Sequence, residues 1–375
     1  MSRTAALLFA ALLPVASQAQ SPETLEACAA VKDNAQRLAC YDDKVRAGRP
    51  AASPAAPGMP AQPAAPAPTT SAEPPKVAPG ERRGIRLTTS EGCHEPQHSE
   101  LTRFWELETR ADCGTFGIRG YRPISLALVG ADSVNEQPTS GNPANNATTS
   151  TDYRTTELRL NLSVRTKIAQ GLFTYGDDGL DSVWVAYSQQ SYWQLFTPQL
   201  SRPFRSTDHE PEIMYIRPLQ SEKAGEWRLR VGGLGLVHQS NGQSLPLSRS
   251  WNRVYLMAAA ERDNLRVTAR LWHRLDEKHN DDNPGISDFI GRGELTARWQ
   301  ATRENLFALT ARHALRKDGH GSVRLEWFRS LADTGWGLPS GLRLHTQLFS
   351  GYGDTLIDYN QRRNVFSVGL SLVEW

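Results

Sequence analysis

No stretch of this 375-residue chain reaches the ~18–20 consecutive apolar residues that a membrane-spanning helix requires. That absence leaves a membrane barrel open, because alternating lipid-facing and lumen-facing residues keep mean hydropathy low, as it is here at −0.50. Charge of one sign is missing as well: 42 Lys and Arg are interspersed with 40 Asp and Glu, for a net charge of +2. Without a polybasic block there is no electrostatic footprint for nucleic acid. Cysteine is scarce. The four present form two sequence-local pairs, Cys28 with Cys40 and Cys93 with Cys113, and neither pair has the close spacing of a thiolate metal or redox motif. Of the three possible pairings the local one is expected, as disulfides formed in an oxidising compartment.

An export signal agrees with that compartment. Arg3, an apolar run from Ala5 to Val15 and small residues at Ser17 and Ala19 have the layout of a secretory signal, residues 1–19, with cleavage after Ala19. Over residues 20–48, Leu25, Cys28, Val31, Ala35, Leu38 and Tyr41 recur at three- and four-residue steps, which predicts a small helical hairpin closed by a disulfide. Residues 49–80 hold ten prolines, with Ala, Ser and Thr making up nearly all the rest, and read as an extended linker. A lead-in on the periplasmic side, residues 81–120, carries Cys93 and Cys113.

From about Tyr121 the pattern changes to a period of two. Leu158, Leu160, Leu162 and Val164 alternate with Arg159, Asn161, Ser163 and Arg165. Similar stripes occur at Leu265–Leu271, Leu342–Leu348 and Phe366–Leu372. Several run nine residues or more, the length a tilted strand needs to cross hydrocarbon. About twelve such segments separated by turn-rich gaps predict an all-β fold, a transmembrane antiparallel β-barrel over residues 121–375 in the bacterial outer membrane. The chain ends on Trp375, and terminal aromatics are read by the barrel assembly machinery. Trp184, Tyr192, Trp193, Trp251, Tyr255 and Trp327 suit the aromatic girdles at the two membrane interfaces.

The segment most suggestive of chemistry runs from Val237 to Tyr255. His238 and Ser240 are two apart and so project from one face of an extended strand, and a hairpin through Gly242 and Pro246 can return Asn252 to the side of His238. A base next to a hydroxyl, oriented by a third group, is the logic of nucleophilic acyl transfer. An amide as third group suits a lipid-facing site, where an unpaired carboxylate is costly. Leu234, Leu236, His238 and Ser240 share a face, as do Asn252, Val254 and Leu256. Leu229 and Val231 have the opposite parity, which predicts a β-bulge near Gly232 and Gly233. Read without further context, the same three polar residues are also compatible with an ordinary turn in a non-enzymatic pore or structural barrel.

The string His238-x-Ser240-Asn241-Gly242, followed by Ser248-Arg249-Ser250-Trp251-Asn252-Arg253-x-Tyr255, resembles the signature of the outer-membrane phospholipase A family. Pro203-Phe204-Arg205, Glu210-Pro211, Asp281-Asp282-Asn283-Pro284 and Ser350-Gly351-Tyr352-Gly353 add to the likeness, which extends from about Tyr121 to Trp375. The resemblance implies a calcium-dependent phospholipase A1/A2 and lysophospholipase acting on sn-1 and sn-2 acyl esters of membrane phospholipids. It assigns Ser240 as nucleophile, His238 as base and acid, Asn252 as the group orienting His238, and the Gly242 amide as part of the oxyanion hole. It further implies activation as a homodimer, with Ca2+ held by the Ser248 hydroxyl and the Gln243 carbonyl of one chain and the Ser201 carbonyl of the other, and a monomer-state Ca2+ site that includes Asp282. Gln189 corresponds to a glutamine at the family's dimer interface, and His209 stands where the family more often has tyrosine.

Overall fold

The computed structural model describes residues 97–372 apart from 175–178, 220–225, 279–280, 333–338 and 340, together with positions 28, 36, 84, 85 and 93. The expected signal, linker, most of the N-terminal hairpin and Trp375 lie outside the described residues. So does Cys40, the expected partner of Cys28. Cys93 and Cys113 form the expected disulfide, with Cα atoms 5.3 Å apart.

A two-residue strand, β1 (Arg119–Gly120), precedes twelve long ones: β2 (Ile124–Ala131), β3 (Thr156–Gln170), β4 (Ser182–Trp193), β5 (Ser206–Pro218), β6 (Arg228–Ser240), β7 (Ser250–Arg262), β8 (Leu265–Arg274), β9 (Gly293–Gln300), β10 (Asn305–His313), β11 (Gly321–Ser330), β12 (Leu342–Gly351) and β13 (Arg363–Leu372). Each long strand pairs antiparallel with its sequence neighbour, and β13 returns to β2 with Leu370 opposite Leu126, so the sheet closes. Closure removes the unpaired edges that hydrocarbon does not tolerate.

The burial pattern is inverted relative to a water-soluble barrel. Leu126, Leu160, Leu162, Leu234, Leu256, Leu309, Leu348, Phe366 and Leu370 are exposed on the outer wall, while Glu157, Arg159, Arg165, Lys167, Gln347 and Ser367 are buried inside. The alternation along β3 and β13 therefore does what its period predicts, with aliphatics toward lipid and polar groups toward the lumen. One expectation needs correction. Trp184, Tyr192, Trp251 and Tyr255 are buried within the barrel and do not form girdles. Their parity decides this: Trp184 and Tyr192 sit on the lumenal face of β4, opposite Val185.

Beyond the disulfide the lead-in is a plug. The helix α1 (Glu100–Trp105), capped by the Ser99 hydroxyl, puts Leu101 and Trp105 into a lumenal cluster with Trp184, Met214, Ile216, Val231 and Met257. Trp105 meets Trp184 edge-on with ring centroids 5.9 Å apart, and Arg165 lies over Phe104. Ion pairs from Glu100 to Arg266 and from Lys167 to Glu106 and Asp112 fasten it. Above the plug a polar cavity of about 290 Å³ is walled by groups such as Arg122, Glu210, Arg270 and Arg312.

The two ends differ. The plug lies at the end where β7 and β8 join through Asp263 and Asn264 alone, whereas residues 132–155, 194–205, 241–249 and 275–292 connect strands at the other end. In bacterial barrels the short turns are periplasmic and the long loops extracellular. A buried ion-pair network of Glu157, Arg205, Asp358 and Arg363 ties the loops of the long end to the strands below them.

Candidate active site

The β6–β7 hairpin brings the suspected residues together at the long-loop end. His238 pairs with Asn252 and Ser240 with Ser250 across the ladder, and below them Leu236 pairs with Val254 and Leu234 with Leu256. Leu234, Leu236 and His238 are exposed on the outer wall, so the polar set stands directly above lipid-facing leucines. The expected bulge exists, but it falls between Leu229 and Val231 and not at the glycines. Arg230 is the extra residue, and its carbonyl accepts from the Leu219 amide of the preceding turn. Leu229 is thereby turned outward and Val231 inward despite their equal parity.

His238 Nδ1 and Asn252 Oδ1 are 2.9 Å apart. Ser240, half-buried, makes no hydrogen bond to His238 among the described residues; its cross-strand neighbour on the other side is His209 of β5. Sequence pattern alone did not show how tightly the following loop is held. The buried Asn241 donates to the Leu247 carbonyl at 2.7 Å and accepts from the Arg249 amide at 2.9 Å. Arg249, fully buried, donates to the carbonyls of Ser248 and Asn145. Gly242 has φ +62, the left-handed region glycine enters without penalty. Its N–H has no partner among the described residues.

Glu277 is the residue that sequence reasoning missed. The chain beyond β8 stays paired with β7, the Leu275 amide donating to the Asn252 carbonyl at 2.8 Å. Glu277, two residues on, returns to the outer face and accepts from Asn252 Nδ2 at 2.7 Å. The available signal was the continuation of the β8 parity past Arg274. Burial raises the Glu277 pKa above the ordinary glutamate value, with Arg274 and the Asn252 amide opposing the rise.

Of the residues expected to hold Ca2+, Ser248 and Asp282 meet: the hydroxyl donates to Asp282 Oδ2 at 2.6 Å, and Asn145 Nδ2 donates to Oδ1 at 3.2 Å. Asn145 Oδ1 is buried with no hydrogen-bond partner among the described residues. The Ser248 hydroxyl and the Asp282 carboxylate are oxygen donors of the kind a hard cation takes, while Asn145 turns its amide nitrogen toward both residues. No cluster of three His, Cys, Asp or Glu side chains occurs among the described residues, so any cation site there draws on hydroxyls and carbonyls. Gln243 lies in the same loop, its side chain on the Arg205 carbonyl at 3.4 Å. Ser201 is in the 194–205 loop, where its carbonyl already accepts from Trp193 Nε1 at 2.7 Å. Gln189 stands outward on β4, its amide satisfied within the chain by the Tyr187 and Ser191 hydroxyls.

The closed twelve-stranded barrel, aliphatic on its outer wall and polar within, defines an outer-membrane β-barrel protein, and a histidine–asparagine pair stands near a serine on its lipid-facing wall. The sequence model of the phospholipase A1 family matches residues 101–372, and the chain belongs to that family of outer-membrane phospholipases. The match begins within the plug, about twenty residues earlier than Tyr121. A predicted phospholipase A1 of Neisseria meningitidis serogroup B is 33% identical over 97% of this chain and 94% of its own length. Phospholipase A1 of Escherichia coli K12 is 34% identical over 58% of this chain and 70% of its own length. Two solved structures share the fold. One is an outer membrane phospholipase dimer from Salmonella typhi with bound calcium (TM-score 0.61, 27% identity, covering 74% of this chain and 98% of that one). The other is an active-site mutant of outer membrane phospholipase A from Escherichia coli, an asparagine replaced by alanine (TM-score 0.59, 28% identity, 69% and 93% covered).

Proposed function

We propose that this phospholipase is a calcium-dependent serine hydrolase that cleaves sn-1 and sn-2 acyl esters of phospholipids and lysophospholipids in the outer leaflet, and that it is active as a homodimer. The observation that carries this reading is the 2.9 Å contact of His238 with Asn252 on the lipid-facing wall, with Ser240 two residues along the same face. Asn252 Oδ1 accepts only from a protonated Nδ1, which leaves Nε2 as the base toward Ser240. The serine oxygen attacks the ester carbonyl as its proton passes to His238, and the imidazolium then protonates the departing alcohol. The Gly242 N–H, without another partner among the described residues, is available to the oxyanion. A solved relative in which an asparagine-to-alanine change is an active-site mutation supports the role given to Asn252.

Ca2+ held by Ser248, Gln243 and the partner subunit's Ser201, with Asp282 serving a monomer-state site, would supply positive charge to the developing oxyanion. A calcium-bound dimer in the family supports both cation and oligomer, with Gln189 proposed at the interface. Residues 1–19 are proposed as the export signal. A conducting pore is disfavoured by the apolar plug around Trp105.

The test is release of fatty acid from phospholipid–detergent micelles by the purified barrel with calcium, with chelator, and with Ser240→Ala. Calcium-dependent release abolished by the substitution is expected. Hydrolysis that survives the loss of Ser240 would remove the serine mechanism.

A further inference from the structure

The asparagine of this site has a carboxylate behind it. An asparagine side chain presents an oxygen and an NH2 group of nearly equal size, and only its hydrogen-bond partners decide which faces the histidine. Were the amide turned over, Nδ2 would face Nδ1, the histidine would carry its proton on Nε2, and no base would remain for Ser240. Here Asn252 Nδ2 donates to Glu277 Oε1 at 2.7 Å. An ionised carboxylate only accepts, so this contact admits one amide orientation, with Oδ1 on His238.

We infer that Glu277 is a positioning residue for the catalytic histidine, holding the Asn252 amide so that His238 keeps its proton on Nδ1, and placing one amide away the negative charge that an asparagine lacks. The inference rests on the reading of Ser240, His238 and Asn252 proposed above. The geometry explains how a neutral residue can serve beside lipid: the charge is moved out of the strand face and into the loop after β8. There the Glu277 side chain is 15% exposed and is flanked by Arg274 at 3.5 Å. When imidazolium forms, the carboxylate polarises the amide toward it without itself touching the ring or the substrate. Among the described residues, the charged or titratable groups that pair with or act on this set are His209 of β5, His273 and Arg274 of β8, and Asp281 and Asp282 of the same loop.

The experiment measures kcat, KM and the pH profile of kcat at saturating calcium for the wild type, Glu277→Ala, Glu277→Gln, Asn252→Ala, the Asn252→Ala/Glu277→Ala pair and Ser240→Ala. Folding is checked by the altered mobility of the unheated barrel on denaturing gels. Glu277→Ala is expected to lower kcat roughly tenfold or more with little change in KM, since an amide free to turn over spends time in the unproductive orientation. Glu277→Gln keeps an acceptor and should restore most of kcat. Both should move the acidic limb of the profile to lower pH, on the order of half a unit, because imidazolium loses a nearby negative charge. In the Asn252→Ala background the Glu277 substitution should have no further effect. Wild-type kcat and pH profile in Glu277→Ala would overturn the inference, as would an equal loss with and without Asn252. If Glu277→Ala does not fold, an unshifted limb in Glu277→Gln overturns it. Activity remaining in Ser240→Ala would instead overturn the serine reading on which it rests.

Discussion

His209 faces Ser240 directly across the β5–β6 ladder, and the Tyr187 hydroxyl lies 2.7 Å from Nδ1 of the same imidazole. The far edge of that ring borders the turn at Gly242: a Cβ built on the glycine would lie 3.6 Å from both Cδ2 and Nε2 of His209. That distance is ordinary contact, so the cost of Gly242→Ala comes from the backbone. At φ +62 an alanine is strained by about 1–2 kcal/mol. The turn can relieve that strain only by rotating, and rotation swings the Gly242 N–H away from the reacting carbonyl. Gly242→Ala should therefore leave the barrel folded while lowering kcat about 10-fold to 100-fold, read from fatty-acid release at saturating substrate. An unchanged kcat would take this amide out of the oxyanion hole.

Replacing Asn252 with aspartate would, in an ordinary triad, supply the missing acid. With Glu277 Oε1 at 2.7 Å from the amide nitrogen the outcome should be the reverse. Two carboxylates then meet in a partly desolvated site and one must bind a proton, which raises an apparent pKa. Asn252→Asp should be poorly active near neutral pH, and Asn252→Asp/Glu277→Gln should regain activity because the glutamine amide can donate to the new carboxylate. The pair of kcat values decides it: a double variant no better than the single one would mean that Glu277 exerts no electrostatic control here.

Most of this architecture is legible in the sequence because a lipid-facing strand has one rule, apolar outside and polar inside, and a period of two records it. Leu160 against Arg159 and Phe366 against Ser367 give the faces, and the parity of His238 with Leu236 places the site on the outer wall. The failures have physical causes. Trp184 and Tyr192 fit a girdle by composition, yet their parity puts them in the lumen, where α1 supplies the apolar partner that composition does not reveal. The bulge was displaced to Arg230 because glycines tolerate a bulge but do not require one. Glu277 stayed hidden because it acts through a contact between segments 25 residues apart, beyond the last regular pairing of β8.

The plug should matter for stability more than for chemistry. Trp105 is buried against Trp184, and truncation of a buried tryptophan to alanine costs about 3–5 kcal/mol. Asp112 adds a pH dependence. Burial opposes its ionisation, but the Lys167 ammonium at 2.7 Å together with Gln170 and the Gly114 amide outweigh burial and hold its pKa below the ordinary carboxylate value. A depressed pKa contributes stability that is complete above the unfolded value of ~3.9 and is lost as pH falls through the folded one. The guanidinium midpoint of the wild-type barrel in micelles should therefore fall between pH 7 and pH 3. Asp112→Asn should start lower at pH 7 and change less, and an equal pH response in both would show that this carboxylate does not fasten the plug.

Calcium should enter through the cluster at Ser248. Its hydroxyl donates to Asp282 at 2.6 Å, so a cation held by these two oxygens would replace a weak proton donor at the carboxylate. Ser248→Ala removes a ligand without adding charge and should raise the calcium concentration for half-maximal hydrolysis about tenfold or more, the cost of roughly 1.4 kcal/mol in binding. If the remaining ligand is the Ser201 carbonyl of the partner subunit, cation affinity and dimerisation are linked, and each must strengthen the other by the same factor. Diluting the barrel in micelles should then raise the calcium requirement of the wild type, and saturating calcium should shift its sedimentation toward the dimer. A calcium requirement independent of barrel density would place the whole site within one chain.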